Sequence, residues 1–429
     1  MRIRRLLAPL LLVACKGSGE DPPTWHRDIQ PIVSARCAGC HVEGGIGGLS
    51  LQSYEEVSAL GVWVAEVTEA RVMPPWQAVP GHIEYKDDRS LSDAQIQFIR
   101  DWVDAGTPEG DPSEAGEPLP PIGAALPEVD LSLSLPAPYT PTLSPDDYRC
   151  FPVAWTATED SYVTGFEVHP DNPTAVHHVA AFLIRTDSIG GDLTPTLAEW
   201  DEADEGPGYT CFGGPSRTGQ DIQVPVQQLG QWVPGNQALI LPEGSGILVP
   251  AGSSVVIQMH YNLQSWDGAP DQTSIDFDTE PTVQHEGAFA PWLDALWTFG
   301  GMTIPAGGTA SFVEEGDPTS FWGLFVGEEV NLDEGFDIHA VMLHMHQIGR
   351  TGLVRVDKAD GSSQVLLEVE DWDFHWQLNY QLAQPVRFES GDSLFLECGF
   401  DNSAGTEEVA WGEGSTDEMC VGNLFVTEL

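Results

Sequence analysis

The chain has 429 residues, with 66 Asp plus Glu against 17 Lys plus Arg and a formal net charge of -49. This length predicts two to three domains. The charge excludes nucleic acid and anionic membrane surfaces as binding partners, because both are polyanions. With 45 Gly, 33 Pro, 14 Trp and 41% hydrophobic residues, the composition predicts a folded, turn-rich, mainly β protein.

The N-terminus has the pattern of an export signal. Three arginines precede the apolar run 6–14, which is too short to cross a bilayer as a helix. Residues 12–15 resemble the lipobox of bacterial lipoproteins, which implies cleavage before Cys15 and lipid on its thiol. We expect a signal peptide, 1–14, a tether, 15–24, and an exported, periplasmic or cell-surface protein that contacts a bacterial membrane only through this lipid. Ordinary cleavage with an unmodified Cys15 is the alternative.

Cys37, Cys40 and His41 have the C-x-x-C-H spacing of covalent c-type haem attachment. The two thiols would form thioethers and the imidazole would reach the iron. A redox disulfide or half of a zinc site are the alternatives, but the sequence has no second C-x-x-C to complete a zinc site. One lipid, one haem and two disulfides would account for all seven cysteines.

A haem site needs a second axial ligand, and we assign it to Met73 in a Met-Pro-Pro-Trp loop, with His82 as the rival. Further on, Ser92 and Gln95 form a capping box, and the apolar spacing over 96–103 predicts a helix. Gly and Pro residues at 106 and 108 would end that helix.

Residues 25–108 as a whole resemble the small class I cytochrome c domains, on the C-x-x-C-H motif, the lead-in 26–32 and the loop 73–76. The resemblance implies a small all-α domain that holds haem c on Cys37, Cys40 and His41. Residues 109–129, rich in Pro and acidic residues, predict a stiff and extended linker.

From residue 130 onward, alternating apolar segments are separated by Gly- and Pro-rich turns. About 290 residues is too long for one ordinary sandwich, so we predict two packed antiparallel β-sandwiches, jelly-roll-like, over 130–285 and 286–429.

His344 and His346 lie in a strand-like segment of the second region. Period-two geometry places both imidazoles on one face, about 7 Å apart at Cα, close enough to chelate one ion. Met419 precedes Cys420, where a disulfide would position its thioether as a soft ligand suited to Cu(I). Taken alone, each of these features is more often structural.

Three further histidines lie in the first region. Alternation over 254–262 places His260 on one polar face with Gln258 and Asn262. His177 and His178 are adjacent, and neighbouring residues of a regular strand point to opposite faces. The two imidazoles could share a metal only at a bulge or a twisted strand end.

The order His-His, His, His-x-His, Met-Cys resembles the type II copper, ascorbate-dependent monooxygenases, the family of peptidylglycine α-hydroxylating and dopamine β-monooxygenase. Local matches lie at residues 148–150, 258–261 and 417–420. The resemblance implies two copper ions, an electron-storing ion and an oxygen-binding ion. Their ligands would be His177, His178 and His260 for the first, and His344, His346 and Met419 for the second.

The same resemblance implies disulfides Cys150–Cys211 and Cys398–Cys420. The expected activity is hydroxylation of a C–H bond of a small molecule with O2, and the catalytic residues are predicted to be His344, His346, Met419 and Gln258. Electrons would come from ascorbate or a redox protein, with the chain's own haem as a relay. Two alternatives are an electron-transfer lipoprotein with copper and haem, and a non-catalytic surface lipoprotein.

The substrate-binding residues of the peptide-amidating members are missing. Met342 stands where those members have an arginine, and Val-Gly-Asn follows Cys420. We therefore expect a neutral or cationic, partly apolar substrate. Four other histidines have no useful partner spacing and are predicted to be surface or core residues: His169, His285, His339 and His375.

Overall fold

The computed structural model describes residues 21–429 except 44, 46, 121, 124, 185–192, 212–213, 218–225, 265, 324–325, 327–329 and 413. The predicted signal peptide and Cys15 lie outside the described residues. In the described part of the chain, no helix is long and apolar enough to cross a membrane.

The N-terminal region is helical and has a hydrophobic core of its own, formed by side chains that include Trp25, Ile99 and Trp102. A π-helical turn, Trp25–Ile29, precedes the helices α1 (Gln30–Arg36), α2 (Tyr54–Ala59), α3 (Gly61–Glu69) and α4 (Asp93–Asp104).

The predicted capping box of α4 is confirmed. Ser92 Oγ accepts from the backbone nitrogen of Gln95 at 3.3 Å, and Gln95 Oε1 accepts from that of Ser92 at 2.9 Å. The helix ends before the predicted Gly106 and Pro108. The ends of this region meet where the nitrogen of Trp25 donates to Pro108 O at 2.9 Å. Its assignment as a cytochrome c domain stays a prediction.

The predicted linker follows the surface of the protein. Gly116 N donates to His26 O at 3.0 Å, and Arg36 donates to Pro120 O at 2.9 Å. Leu126 N then reaches Glu167 on the β region at 3.4 Å. Apart from a short 3-10 turn, Pro112–Glu114, its described residues lie outside helices and strands, as the composition predicts. The segment is attached to both regions that it joins.

In the part that the structure describes, the next region contains ten strands and one helix. They are β1 (Leu131–Ser134), β2 (Asp146–Ala154), β3 (Ser161–His169), β4 (Val176–Ile184), α5 (Thr194–Ala203), β5 (Tyr209–Thr210), β6 (Val226–Trp232), β7 (Leu239–Ile240), β8 (Ser245–Val249), β9 (Ser254–Asn262) and β10 (Ser274–Glu280).

The described residues of the C-terminal region contain a 3-10 turn, Trp297–Phe299, and another ten strands and one short helix. They are β11 (His285–Trp292), β12 (Thr303–Ile304), β13 (Thr309–Gly316), α6 (Thr319–Trp322), β14 (Phe336–His344), β15 (Gly349–Asp357), β16 (Ser363–Val369), β17 (Tyr380–Phe388), β18 (Ser393–Asp401), β19 (Val409–Ala410) and β20 (Val421–Glu428).

One sheet runs through both regions, in the order β1-β10-β3-β8-β11-β20-β14-β17, with β7 beside β3. The two halves of this sheet join at a short parallel ladder between β8 and β11, in which Ser245 pairs with His285 and Gly246 with Glu286. A five-stranded sheet, β5-β2-β9-β4-β6, shares a core with the first half, and a four-stranded sheet, β13-β18-β15-β16, shares a core with the second. The mainly β prediction is confirmed. The two jelly-roll-like sandwiches and their boundary at residue 286 stay predictions.

Candidate metal centres

The three histidines of the first predicted site lie on neighbouring strands of the five-stranded sheet. His178 on β4 pairs directly with His260 on β9. The register shifts between Val176 and His178, so His177 is the extra residue of a β-bulge. The sequence analysis requires such a bulge, or a twisted strand end, for two adjacent imidazoles to bind one metal ion.

The three imidazoles converge through their Nδ1 atoms. His260 Nδ1 lies 3.2 Å from Nδ1 of His177 and 3.2 Å from Nδ1 of His178. The possible ligand atoms of all three residues lie within 4.8 Å of one another. His260 Nε2 donates to Asp146 Oδ1 at 2.9 Å, so its Nδ1 carries a lone pair that faces the other two rings. A cation at this point would satisfy that lone pair, so the residues present fit a metal ion.

The electrostatics of the cluster keep its imidazoles neutral. Burial lowers the pKa of His177 to about 3, with a further contribution from the neighbouring His260. Burial also lowers the pKa of His178 and that of His260, the latter in spite of the Asp146 carboxylate. Neutral imidazole is the form that binds a metal ion.

Two further side chains support His260. The ring of Tyr148 stacks on its imidazole, with centroids 4.1 Å apart and an interplanar angle of 9°. The other carboxylate oxygen of Asp146 accepts from Ser415 Oγ at 2.6 Å. Ser415 precedes Met419 in the same C-terminal loop, so Asp146 connects the three-histidine cluster to the loop of the second predicted site.

The second pair of histidines lies at the end of β14. The rings of His344 and His346 have centroids 5.0 Å apart, and Met345 between them is buried in the core of the C-terminal region. His346 Nδ1 donates to Asp417 O at 3.1 Å. His344 Nδ1 donates to Gln377 Oε1, and the Gln377 amide is oriented by its own donation to a backbone carbonyl. Both Nε2 atoms therefore carry lone pairs, so this pair also fits a metal ion.

The backbone at Met419 leads directly into a strand that pairs with β14. The ladder between β14 and β20 ends where His344 lies opposite Val421, two residues after Met419. The buried Glu418 carboxylate accepts from the backbone nitrogens of His346 and Ile348, each at 2.7 Å. Burial raises the pKa of Glu418 to about 7. Met419 as a ligand stays a prediction.

Both disulfides implied by the resemblance are present. Cys150 joins Cys211, and Cys398 joins Cys420. The second bridge lies directly after Met419 and thereby attaches its loop to β18.

An aromatic ring lies between the two predicted sites. Phe374 stacks on His177, with centroids 5.0 Å apart and an angle of 19°, and meets His346 edge-on at 6.0 Å. A cavity of about 530 Å³ opens beside His177 and Phe374, and its rim includes Arg350 and His375. The two sites are therefore adjacent, and one of them borders a cavity of small-molecule size.

Gln258 and Met342, which the sequence analysis relates to catalysis and to substrate binding, contact residues outside the two histidine clusters. Gln258 is buried, and its Nε2 donates to Gly214 O at 2.9 Å and contacts Cys211 Sγ at 3.6 Å. Its amide therefore holds the disulfide loop, and its predicted catalytic role stays a prediction. The face that it shares with His260 is polar but not exposed, because β9 is buried on both sides. Met342 is buried beside a small cleft lined largely by amide side chains, including Asn423.

The haem-attachment motif lies after α1. Cys37 and Cys40 are unpaired and half-buried. His41 Nδ1 donates to Leu49 O at 3.3 Å, which leaves Nε2 as the ligand atom. A side chain at Gly47 would come within 2.4 Å of the His41 ring. These residues fit covalent haem, whose presence stays a prediction.

Met73 borders a cavity of about 890 Å³ that His82, Trp76 and Tyr85 also line. Among the described residues that line it, neither His41 nor the two thiols occur, so this cavity does not bring Met73 to His41. His82 Nε2 forms a hydrogen bond with the Glu368 carboxylate of the C-terminal region, so this side chain is engaged elsewhere. The Met73 assignment stays a prediction.

The four remaining histidines lie on the surface or are half-buried, and one of them, His375, lies beside a predicted metal site. His169 and His285 are exposed, and half-buried His339 contacts Thr427 Oγ1 at 3.0 Å. His375 is exposed, but it lies on the rim of the cavity at His177, and hydrogen bonding to Asp373 raises its pKa. Sequence reasoning also missed the residues that orient the ligands: Asp146, Phe374 and Gln377. They have no periodic spacing, and only the strand pairing and one loop place them at the sites.

Residues 326–426 match the family model of the copper type II ascorbate-dependent monooxygenase C-terminal domain. DBH-like monooxygenase protein 1 of Gallus gallus is 26% identical over 278 residues, which cover 62% of this chain and 42% of the relative. Tyramine beta-hydroxylase of Caenorhabditis briggsae is 23% identical over 265 residues, which cover 60% of this chain and 40% of the relative. The chain thus spans about two fifths of the length of these relatives. The matches support the copper monooxygenase family that the sequence predicted.

Among solved structures, PNGase F, a glycosylasparaginase from Flavobacterium meningosepticum, has 8% identity and a TM-score of 0.30. The similarity covers 70% of this chain and 95% of that one. A similarity at this level carries no argument about fold or function.

Proposed function

We propose that this protein is a copper-dependent monooxygenase that hydroxylates a C–H bond of a small organic substrate with O2. The observation that carries the proposal is the convergence of three Nδ1 atoms, from His177, His178 and His260, next to His344 and His346, whose Nε2 atoms are free. Two adjacent imidazole sites suit two redox-active metal ions. The relatives named as monooxygenase and hydroxylase support the same reaction class.

Bound copper supplies O2 activation and one-electron chemistry at these sites. His177, His178 and His260 hold one ion through Nδ1, and Asp146 fixes the proton of His260 on Nε2. This arrangement leaves the neutral Nδ1 of His260 as the donor atom.

His344 and His346 hold the second ion through Nε2, because Gln377 and Asp417 O keep their protons on Nδ1. Met419 adds a soft sulfur ligand that favours Cu(I). Phe374 occupies the space between the two sites and keeps His177 and His346 apart.

The substrate proposal rests on charge and on Met342. The chain carries a net charge of -49, and the position beside the second site is the apolar Met342 where the peptide-amidating members have an arginine. A neutral or cationic, partly apolar molecule fits this environment better than an anion does.

Electrons come from ascorbate or a redox protein and are relayed by haem on Cys37, Cys40 and His41. The unpaired thiols and the orientation of His41 support this attachment. We further propose that the two β regions are sandwich domains, and that the protein is exported and lipid-anchored through Cys15.

The copper content of the purified protein tests the proposal first. We expect two copper ions per chain, with His178→Ala and His344→Ala each losing one, and one haem per chain. His169→Ala, an exposed histidine paired with Asp276, is the control and keeps both. O2 consumption should then match a hydroxylated product from tyramine or neutral aralkyl compounds. A copper content near zero, or one copper that neither variant removes, overturns the proposal.

A further inference from the structure

Residues 73–89 of the helical region, here called the docking segment, are built into the C-terminal region. Ala78 and Tyr85 form antiparallel bridges to Val369 and Leu382. The nitrogen of Val79 donates to the backbone oxygen of Glu368 at 2.8 Å. Two further backbone hydrogen bonds of 2.8 Å join residue 84 to 383 and residue 86 to 381. The docking segment thus extends the edges of strands that belong to the β region.

Aromatic packing fixes the same contact. The ring of Trp76 lies 4.9 Å from that of Tyr380 and 5.6 Å from that of Tyr85, and Tyr85 lies 5.4 Å from Tyr380. All three rings pack on the hydrophobic core of the C-terminal region. The helical region is therefore held in one position relative to the β region at this point.

Gln77 binds the loop of residues 373–377, here called the copper loop. Its Nε2 donates to the carbonyl oxygens of Asp373 and Trp376, each at 2.9 Å. Its Oε1 accepts from the backbone nitrogen of Asp373 at 3.2 Å. One side chain of the helical region thus makes three hydrogen bonds to this loop.

The copper loop carries two side chains that touch the predicted ligands. Phe374 stacks on His177 of the three-histidine site. Gln377, the residue after Trp376, accepts from Nδ1 of His344 of the second site. Each of the two carbonyl groups that Gln77 binds is therefore followed, one residue later, by a side chain that contacts a different site.

Arg89 relates the docking segment to the first β region and to the predicted haem-attachment motif. Arg89, at the end of the docking segment, donates to Gly235 O of the first β region at 3.1 Å. Arg89 is also close enough to Cys40 and Tyr380 for each to raise its pKa against the lowering effect of burial. The Cys40 thiol, a predicted haem-attachment residue, is thus within electrostatic reach of Arg89 in the docking segment.

We propose that the contact between Gln77 and the copper loop is the electron inlet of both copper sites, an inference that rests on the proposed function. In each event one electron leaves ferrous haem, which becomes ferric, and reduces one cupric ion to cuprous. No covalent bond forms or breaks. Ascorbate or a redox protein then reduces the ferric haem again. Gln77 is a positioning residue that holds the loop, and through it Gln377 and Phe374, at a fixed distance from the haem domain.

The test uses the complete protein loaded with haem and two cupric ions, under argon. A flavin photoreductant injects less than one electron per haem, and the decay of the reduced-haem absorption reports transfer to copper. Loss of the cupric electron paramagnetic resonance signal gives an independent readout. Gln77→Leu removes all three side-chain bonds and should slow the decay about tenfold, because the rate depends on how the reacting groups are held relative to each other. Gln77→Asn, which keeps both polar groups, should fall between Gln77→Leu and the wild type.

The matched control is Gln364→Leu. Gln364 is a half-buried glutamine of the same interface that donates to His82 O of the docking segment at 3.4 Å but does not belong to the copper loop. We expect an unchanged decay rate, and unchanged hydrogen exchange over 73–89 in all three variants. If hydrogen exchange over residues 73–89 rises in Gln77→Leu, the decay rate of Gln77→Asn is compared with that of the wild type, and a slower rate in Gln77→Asn supports the inlet while an equal rate overturns it.

Equal rates in Gln77→Leu and the wild type overturn the inlet, as does equal slowing in Gln77→Leu and Gln364→Leu. The inlet proposal is also overturned if the reduced-haem absorption of the wild-type protein does not decay faster when copper is bound. In that case, hydroxylation driven by ascorbate would still support the monooxygenase proposal. Fast, Gln77-dependent decay without any hydroxylated product would support the inlet and contradict the monooxygenase proposal.

Discussion

His260 donates its Nε2 hydrogen to Asp146 at 2.9 Å, and this bond decides which nitrogen of His260 faces the other two histidines. Removal of such a partner commonly lowers metal affinity 10- to 100-fold. We expect Asp146→Ala to weaken copper binding at the three-histidine site by about that factor. Chelator competition on a His344→Ala background, in which this site is the one that remains, measures the effect.

Asp276→Ala is the matched control for Asp146→Ala. Asp276 also contacts a histidine, His169, at 3.0 Å, but on the exposed surface of β3 and β10. Copper affinity should be unchanged in this variant. Equal losses in the two variants would show that the Asp146 bond has no specific effect on the metal site.

Glu418 is expected to be a structural support of the second site. Glu418→Gln replaces a carboxylate that accepts from His346 N and Ile348 N with an amide that has one acceptor oxygen. One buried N–H group loses its partner, which should lower the free energy of unfolding by about 1–3 kcal/mol. Urea unfolding of the copper-free protein measures this change.

The control for that substitution is Glu397→Gln. Glu397 accepts from Ser311 Oγ at 2.7 Å on the exposed side of β13 and β18. Its removal should leave the unfolding midpoint unchanged. If Glu418→Gln behaves in the same way, the carboxylate does not stabilise the loop.

The Cys398–Cys420 bridge should affect both stability and metal binding. It closes a loop of 22 residues, so Cys398→Ser with Cys420→Ser should cost about 3 kcal/mol of unfolding free energy. Because the bridge attaches the loop of Met419, copper at the second site should also bind about tenfold more weakly. Chelator competition on a His178→Ala background isolates that site. Loss of stability with unchanged copper affinity would contradict the role of the bridge in placing Met419.

Acid should destabilise the copper-free protein partly through His339. Burial lowers the pKa of His339 to about 4, whereas its ordinary value is 6.5. Between these values the unfolded chain binds a proton that the folded chain does not, so the free energy of unfolding falls as the pH drops from 6.5 to 4. Above pH 6.5 this contribution is constant.

His339→Gln should reduce that loss. Urea unfolding at pH 4.5 and 7.5 compares the variant with the wild type, and the exposed His169→Gln serves as the control. A pH dependence that is the same in all three proteins would show that His339 does not contribute to the acid sensitivity.

Several features of the sites follow from local sequence rules. The capping box at Ser92 depends on residues three positions apart, and the condition for His177 and His178 to meet follows from the two-residue period of a strand. The mainly β character follows from alternation and turn residues. These features need no knowledge of distant contacts.

Other features depend on pairing between distant segments. Asp146 meets His260 because β2 lies beside β9, and Ser415 reaches Asp146 across 269 positions of sequence. Phe374 lies in a loop without periodicity, so no pattern marks it as the ring between the sites. Within the docking segment, the sequence predicts a haem ligand at Met73, with His82 as the rival. The pairing of this segment with Val369 and Leu382 is a long-range contact that residue spacing does not show.

The narrow ladder between β8 and β11 has a consequence for how the two halves of the chain change over evolutionary time. Among the described residues, two pairs transmit strand register across it, so a shift or insertion in one half does not displace the pairing in the other. Each half is then able to accumulate substitutions at its own rate.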